Sequence, residues 1–164
     1  MVNPTITLNI FLIGDLLSLV DNKEESLRLL REAKEDFERA RRYYELRDWV
    51  TVVHYAQLAI EKAAKAVISC FEAYEWTHDP SGQIERLIER GFLGDEFIKI
   101  AEYAREAAPW HGRSTYGGLR GGVWRSPSEL CTEDIASNLL HKSDESVRKA
   151  EEFLRWFWHD GDTG

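Results

Sequence analysis

Apolar residues recur at helical spacing along most of this sequence. A first stripe, with steps of three or four residues, consists of Leu30, Ala33, Phe37, Ala40 and Tyr44. This spacing places all of these side chains on one face of a helix, and the charged residues between them are typical of its solvent-exposed side. Asn22, with Glu25 three positions later, has the form of a capping box, so we expect the helix to begin there.

A second, alanine-rich stripe follows a short turn at Arg47. It consists of Val52, Ala56, Ala59, Ala63, Val67 and Cys70. Asp48 is placed to cap this helix, and the small alanine side chains allow a partner helix to approach closely. We expect the helix to end before Asp79-Pro80, because the residue that precedes a proline avoids the α region.

Three more helices complete the pattern. The first is predicted over residues 79–91 and ends at Gly91, and the second over residues 95–109 and ends at Pro109. The third begins at a cap at Thr132 and runs to residue 158. No strand-like alternation interrupts residues 22–158. The sequence therefore predicts an all-α fold, an antiparallel up-and-down bundle of four to five helices.

The chain of 164 residues divides into two unequal parts. Residues 1–21 form an apolar N-terminal extension, and residues 22–164 form the bundle, a length that suits a single domain. The extension lacks a basic start and a cleavage site, and its apolar run falls short of the roughly 20 residues that a membrane span needs. We expect it to pack on the bundle or on a neighbouring subunit, as an extra helix or strand, rather than to enter a membrane.

The formal net charge of −8 excludes a uniformly basic nucleic-acid-binding protein, so affinity for phosphate has to come from a local patch. Two cysteines are too few for a disulfide framework and fit a reducing compartment, so the expected location is cytoplasmic. The Glu-x-x-His pair of Glu75 and His78 lacks the second copy that a di-iron bundle needs. The sequence therefore predicts neither a metal site nor a cofactor.

Residues 109–131 form a Gly/Arg-rich loop with an unusual charge. Between residues 109 and 128 it has five glycines, three arginines and no acidic residue, so it carries +3 and leaves −11 for the rest of the chain. Loops of this length are often functional, and arginine, aromatic rings and glycine suit phosphate and base contacts. The alternative is a flexible surface insertion whose arginines offset the acidic bundle. If the loop is functional, the candidates for binding a nucleotide or RNA are Arg113, Tyr116, Arg120 and Arg125.

Arg105 and His111 flank the predicted break at Pro109 and are the candidates for catalysis. Such a break lets the chain fold back and bring both side chains toward one cleft. RNA can be cleaved with these two groups alone, because its own 2′-hydroxyl is the nucleophile. A histidine with a pKa near neutrality can move the protons, an arginine can stabilise charge on the phosphorus, and no metal is required. Taken alone, an Arg-x5-His spacing also arises by chance from a surface arginine and a loop histidine.

Three separate segments of the sequence resemble one known family. Residues 56–67 read AQLAIEKAAKAV, residues 40–49 read ARRYYELRDW, and residues 127–136 read PSELCTEDIA. They resemble, respectively, the second-helix signature, the end of the first helix with its turn, and the entry into the last helix of the HEPN family, the higher eukaryotes and prokaryotes nucleotide-binding domains. The resemblance covers residues 23–158.

The resemblance implies a small helical bundle that dimerises and, in many members, a metal-independent ribonuclease with an Arg-x(4–6)-His signature. Arg105 and His111 match that signature, although Glu106 and Pro109 are less usual within it. Many members are similar to the toxin of a toxin–antitoxin pair whose other half is a minimal nucleotidyltransferase. The implied partners are a second copy of the chain, a nucleotidyltransferase antitoxin, and RNA or a nucleotide. Aromatic residues all round the last helix also favour a homodimer.

These observations leave three hypotheses. The first is a metal-independent endoribonuclease, the toxin of such a pair, that acts through Arg105 and His111. The second is a non-catalytic helical module whose Gly/Arg-rich loop binds a nucleotide or a partner protein. The third is a purely structural helical dimer in which that loop contacts nothing. Loss of RNA cleavage on replacing His111 distinguishes the first, and thermal stabilisation by nucleotides distinguishes the second from the third.

Overall fold

The computed structural model describes the backbone of residues 4–159 and the side chains of residues 21–159. A 3₁₀ turn, Asp95–Phe97, comes directly before the helix that begins at Ile98. The predicted all-α bundle is confirmed, with a small hairpin as an addition to it. Along the chain the elements are α1 (Pro4–Glu45), α2 (Trp49–Ser69), α3 (Ser81–Glu89), α4 (Ile98–Ala107), α5 (Pro109–Tyr116), β1 (Gly118–Arg120), β2 (Val123–Arg125), α6 (Pro127–Leu130) and α7 (Glu133–His159).

Helix α2 lies at the centre of the bundle and packs against α1, α3, α4, α5 and α7. The connection of residues 46–48 turns the chain back along α1, with Arg47 in the left-handed region at φ 58°. Asp48 then caps α2 as predicted. Its carboxylate accepts hydrogen bonds from the backbone N and from Oγ1 of Thr51, at 3.2 and 2.7 Å.

Buried alanines allow the long helices to pack closely. Because the side chain of alanine is a single methyl group, helices approach closely where alanines lie between them, and the interior is too dense there to accept larger side chains. The buried alanines of α1, α2 and α7 include Ala33, Ala40, Ala56, Ala59, Ala63, Ala66, Ala136 and Ala150.

The aromatic residues of α7 largely pack within the chain. Phe157 lies against Phe71, with ring centroids 5.1 Å apart. The buried Trp158 donates from its Nε1 to Oγ of Ser26 on α1 at 3.0 Å. Trp156 is exposed. Most of these rings are therefore covered by the chain itself, and the homodimer stays a prediction.

The first helix is longer than predicted. α1 continues without interruption through Asn22, so the predicted capping box at that residue is wrong. The residues before it are mostly leucine, isoleucine and other residues that a helix tolerates, and they extend the helix. We expect residues 1–21 to pack on the bundle or on a neighbouring subunit. Apart from Asp21, the side chains of these residues lie outside the described part of the chain, so this expectation stays a prediction. Within residues 4–159, no helix has the length and apolar character needed to cross a membrane.

The second helix is shorter than predicted. α2 ends at Ser69, and a loop follows up to residue 80. The Gln83 side chain holds this loop, because it donates to the carbonyl oxygen of Ala73 and accepts from the backbone N of Glu75, at 2.9 and 3.0 Å. These bonds satisfy backbone groups that a longer helix would otherwise have to satisfy. α3 begins and ends close to the predicted positions, with Gly91 at φ 78° just beyond its end.

The Gly/Arg-rich segment, predicted as a loop over residues 109–131, has secondary structure of its own. Pro109 not only ends α4 but also begins α5, a position that suits proline because its missing N–H is not needed at a helix start. After α5 the strands β1 and β2 pair antiparallel. Gly121 and Gly122 connect them with positive φ angles of 60° and 76°, as a tight hairpin turn requires.

Candidate functional site

A polar stripe crosses the buried face of α2. Gln57, Glu61 and Lys65 follow one another at intervals of four residues and are 0, 7 and 8% exposed. The Glu61 carboxylate accepts hydrogen bonds from Gln57 Nε2 at 2.8 Å and from Lys65 Nζ at 2.7 Å. It accepts a third from His78 Nδ1 at 3.1 Å. Donors from α2 and from the loop after it therefore surround one buried carboxylate.

These donors keep Glu61 ionised. Burial by itself raises the pKa of a carboxyl group, because the charged form loses its hydration. Here the hydrogen bonds from Lys65 and Gln57 outweigh burial, and the pKa of Glu61 lies below its ordinary value. The site therefore holds a fixed negative charge at neutral pH, with the ammonium group of Lys65 beside it.

His111 reaches this stripe from the first turn of α5. Its Nδ1 lies 3.2 Å from Oε1 of Gln57. Because the amide NH₂ of Gln57 donates to Glu61, the amide oxygen is the atom that faces His111. In the neutral ring, Nδ1 must therefore carry the proton that it donates to Gln57. The lone pair of His111 is then on Nε2, where it can accept a proton.

Two further histidines lie beside His111. The ring of His78 is stacked on it, with centroids 3.6 Å apart and planes inclined by 15°. The ring of His54 lies 6.1 Å away, and its Nδ1 is 3.3 Å from Oγ of Ser114 on α5. Residues from α2, from the loop after α2 and from α5 thus form one cluster, which we call the histidine cluster: Gln57, Glu61, Lys65, His78, His111 and His54.

The surroundings of His111 lower its pKa. Partial burial is the main cause, because it disfavours the charged ring, and the neighbouring His78 adds to the effect by charge repulsion. The Glu61 carboxylate acts in the opposite direction but does not outweigh them. His111 is therefore neutral at neutral pH, the form that a general base needs.

Arg105 lies outside this cluster. It is exposed on α4, and its guanidinium donates to the carboxylate of Glu85 on α3. That hydrogen bond is the main reason why the pKa of Arg105 is raised, and the negative charge of the nearby Asp79 raises it further. Among the described side chains, none of the hydrogen bonds of Arg105 joins it to His111. Of the pair predicted from the sequence, His111 thus lies inside the cluster, whereas Arg105 lies on α4 and is held by the carboxylate of Glu85.

The four predicted nucleotide-binding residues lie on α5 and the hairpin, but they are not equivalent. Arg125 is paired with Glu129, with 3.3 Å between their charged groups. Tyr116 is 75% exposed. Arg113 lies over the ring of Trp110, and no carboxylate of residues 21–159 forms an ion pair with it or with Arg120.

Trp124 is exposed as well, and its cross-strand partner is Leu119, so its ring lies on the hairpin face opposite to Arg120. We call the group of Arg113, Tyr116, Arg120 and Trp124 the hairpin surface. It combines cations with exposed rings.

Among the described residues, Glu61, His78 and His111 form a group whose spacing could hold a metal ion. One donor atom from each lies within 4.8 Å of the others. However, the two imidazole planes are nearly parallel, so their nitrogen lone pairs do not converge on one point. The Glu61 carboxylate in addition already accepts hydrogen bonds from Gln57, Lys65 and His78. The observed arrangement fits proton transfer better than metal coordination.

Most of the cluster is not predicted from the sequence. In the sequence, His78 stands out only as half of a Glu-x-x-His pair, and Gln57, Glu61 and Lys65 only as part of a helix signature. One signal is nevertheless present, because three polar residues at intervals of four interrupt the otherwise small and apolar face of α2. A buried polar stripe of this kind requires partners from another element.

We expect the replacement His78→Ala to raise the pKa of His111. The loss of the stacked ring exposes His111 to water and removes a neighbouring group that becomes positive on protonation, and both changes favour the charged form. Titration of the His111 ring by NMR measures this shift. His141→Ala is the control, because His141 is exposed on α7 and is paired with Glu145. An unchanged or lowered pKa of His111 in His78→Ala contradicts the assigned contacts.

The comparison with known families agrees with this architecture. A sequence model described as the HEPN domain matches residues 26–158. No curated protein matches the sequence. The matched residues include α2, the histidine cluster, the hairpin and nearly all of α7. HEPN domains are helical modules of the nucleotide-binding or ribonuclease type. The chain belongs to the HEPN domain family.

Proposed function

We propose that this HEPN domain is a metal-independent endoribonuclease whose catalytic base is His111. The observation that carries the proposal is the chain of hydrogen bonds from Glu61 through Gln57 to His111. It holds the imidazole in the tautomer with a free Nε2. The lowered pKa of His111 keeps that nitrogen unprotonated at neutral pH.

The reaction is a transesterification within the RNA. His111 Nε2 takes the proton of a 2′-hydroxyl while that oxygen attacks the adjacent phosphorus. The bond from phosphorus to the 5′-oxygen breaks, which leaves a 2′,3′-cyclic phosphate and a 5′-hydroxyl. His78, stacked on His111, is placed to supply the proton that the leaving 5′-oxygen takes up. Because its Nδ1 proton is donated to Glu61, the transferred proton comes from Nε2, and His78 enters the reaction as the imidazolium ion. The nucleophile belongs to the substrate, so the mechanism needs no metal-bound water.

Arg105 contributes to this reaction by stabilising charge on the phosphate. Its present partner, Glu85, holds it in an exposed ion pair, and such pairs are worth only about 0–1 kcal/mol. A phosphate can therefore displace the carboxylate. A homodimer would strengthen the effect, because two copies of the Arg105–His111 pair facing a common groove form a site for a phosphate.

The hairpin surface gives the RNA a path to His111. α5 carries His111 at its start and Arg113 and Tyr116 farther along, so the catalytic and binding groups share one helix. Arg113 and Arg120 suit contacts with phosphates, and the exposed Tyr116 and Trp124 rings suit stacking against unpaired bases. RNA binding is thus a local property of this surface on a chain whose net charge is −8.

We further propose that the protein is the toxin of a toxin–antitoxin pair whose antitoxin is a minimal nucleotidyltransferase. The support for this role is the membership of the HEPN family together with the Arg-x5-His signature. The partner would act by covering or modifying the surface that binds RNA.

A non-catalytic binding module is the second candidate, and the position of Arg105 favours it. An arginine that is bound to Glu85 contributes no charge to the histidine cluster. In that case a nucleotide binds at the hairpin surface, and the stabilisation that it causes survives the loss of His111.

RNA cleavage tests the proposed reaction directly. We expect the purified protein, in the presence of a chelator, to cleave single-stranded RNA and leave cyclic phosphate ends. His111→Ala should lower the rate by about 10²–10⁴-fold, because it removes the general base. Gln57→Leu should also lower it, since the ring of His111 then loses the partner that fixes its tautomer. His141→Ala, with an exposed histidine on α7, is the matched control, and activity in His111→Ala equal to that of the parent contradicts the proposal.

Salt dependence tests the hairpin surface. We expect the double replacement of Arg113 and Arg120 by alanine to weaken binding of an uncleavable single-stranded RNA. The slope of log K against log salt should fall by about 0.7 for each lost phosphate contact. The matched control replaces Arg148 and Arg155, which are exposed on α7. An equal slope in both double variants shows that the hairpin does not contact phosphate.

Growth of bacteria that express the chain tests the proposed toxin role. The parent should arrest growth, His111→Ala should not, and co-expression of the cognate nucleotidyltransferase should restore growth of the parent. A blot should show the parent and His111→Ala at similar levels in the cells. Normal growth with the soluble, RNA-cleaving parent chain rules out the toxin role and leaves the ribonuclease proposal standing.

A further inference from the structure

The loop between α2 and α3 presents one large aromatic ring to solvent. Trp76 is 98% exposed, the highest value among the large apolar side chains of the described residues. The loop itself is held in place: Gln83 binds the backbone at Ala73 and Glu75, and Thr77 Oγ1 accepts from the backbone N of Asp79 at 3.0 Å. A fixed loop that exposes a whole indole ring offers a flat surface on which another ring can stack.

A cleft adjoins Trp76 and connects it to the histidine cluster. Its volume is about 320 Å³, which lies within the range of small-ligand pockets. Tyr74 and Thr77 form part of its wall, and Leu29 on α1 contributes an apolar patch. His78 lines the cleft as well and is stacked on His111. A ligand in the cleft is therefore next to the proposed site of proton transfer.

The charges of the cleft identify the chemistry of its occupant. Three cations line it, and each already has an acidic partner. Lys65 is paired with Glu61 at 2.7 Å. Lys62 is paired with Asp36 at 2.7 Å and with Glu32.

Arg28, the third cation, is paired with Glu25 and Glu32. With no surplus positive charge, the cleft suits a neutral planar group with polar edges better than a phosphate. Among the parts of RNA, that group is a nucleobase.

We propose that Trp76 and this cleft form a base subsite for the nucleotide next to the scissile phosphate. The inference rests on the proposed ribonuclease function and adds a binding site for one base of the substrate to it. The occupant is an unpaired base of single-stranded RNA, which stacks on Trp76 and reaches into the cleft with its polar edge. Duplex RNA is disfavoured, because its bases are already stacked and paired.

Binding of an uncleavable RNA tests the subsite independently of catalysis. The probe is a fluorescein-labelled, fully 2′-O-methylated single-stranded oligonucleotide, and its affinity for the full chain is measured by anisotropy. Trp76→Ala should weaken binding by about 5- to 150-fold, the range expected for the loss of one stacked base, and Trp76→Phe should retain most of the affinity. Trp156→Ala is the control, since Trp156 is also exposed and lies on α7.

A second probe shows whether a base is the group that is bound. A series of oligonucleotides with one abasic position each should contain a position at which the parent binds as weakly as Trp76→Ala. At that position Trp76→Ala should lose no further affinity. Equal affinity of Trp76→Ala and the parent for the intact probe overturns the proposal, and so does the absence of probe binding to the parent.

Two more outcomes separate this inference from its alternatives. If Trp76→Ala changes the mass of the protein in sedimentation but not its affinity for RNA, Trp76 belongs to a protein interface and the subsite is overturned. If the parent cleaves no RNA but binds the probe in a Trp76-dependent way, the base subsite is upheld and the ribonuclease proposal fails.

Discussion

The buried carboxylate of Glu61 is the interaction on which the site depends. An ionised group inside the central helix of a bundle is tolerated only when donors surround it. Lys65 and Gln57 provide two of these from the same helix, and His78 provides a third from the loop after it. The orientation of Gln57 is settled by this demand, and the tautomer of His111 follows from the orientation of Gln57. The hydrogen bonds that stabilise a buried charge thereby also fix the tautomer of His111, which the proposed proton transfer uses.

The bundle supports this arrangement through the rigidity of its parts. Gln57 and Glu61 belong to the helix that packs against most of the others, so neither side chain can shift without a cost in packing. His111 is carried by α5, whose start at Pro109 is fixed by the proline ring. Groups held on helices keep their separation to within fractions of an ångström, as a proton transfer requires. Arg105 differs, because an exposed ion pair with Glu85 is readily exchanged.

The charge of the chain is distributed so that binding can be local. The acidic helices repel a polyanion, whereas the segment of residues 109–128, which contains His111, carries +3. Arg113 and Arg120 have no acidic partner among residues 21–159, while the cations of the cleft below Trp76 are each neutralised. One surface is thus suited to phosphates and the other to a base. In the proposed complex, a single-stranded RNA contacts both surfaces, with the histidine cluster as the site of cleavage.

The sequence by itself determined the helical class and the cap of α2 at Asp48, and it singled out His111 as a candidate for catalysis. These features are local, because periodicity, capping and composition depend on residues that are near one another in the chain. The tertiary structure decided the rest. The contact of Gln57 with His111 joins residues far apart in the chain, and only the packing of α5 on α2 creates it. It likewise turned Arg105 toward Glu85, a contact between helices that no spacing in the sequence reveals.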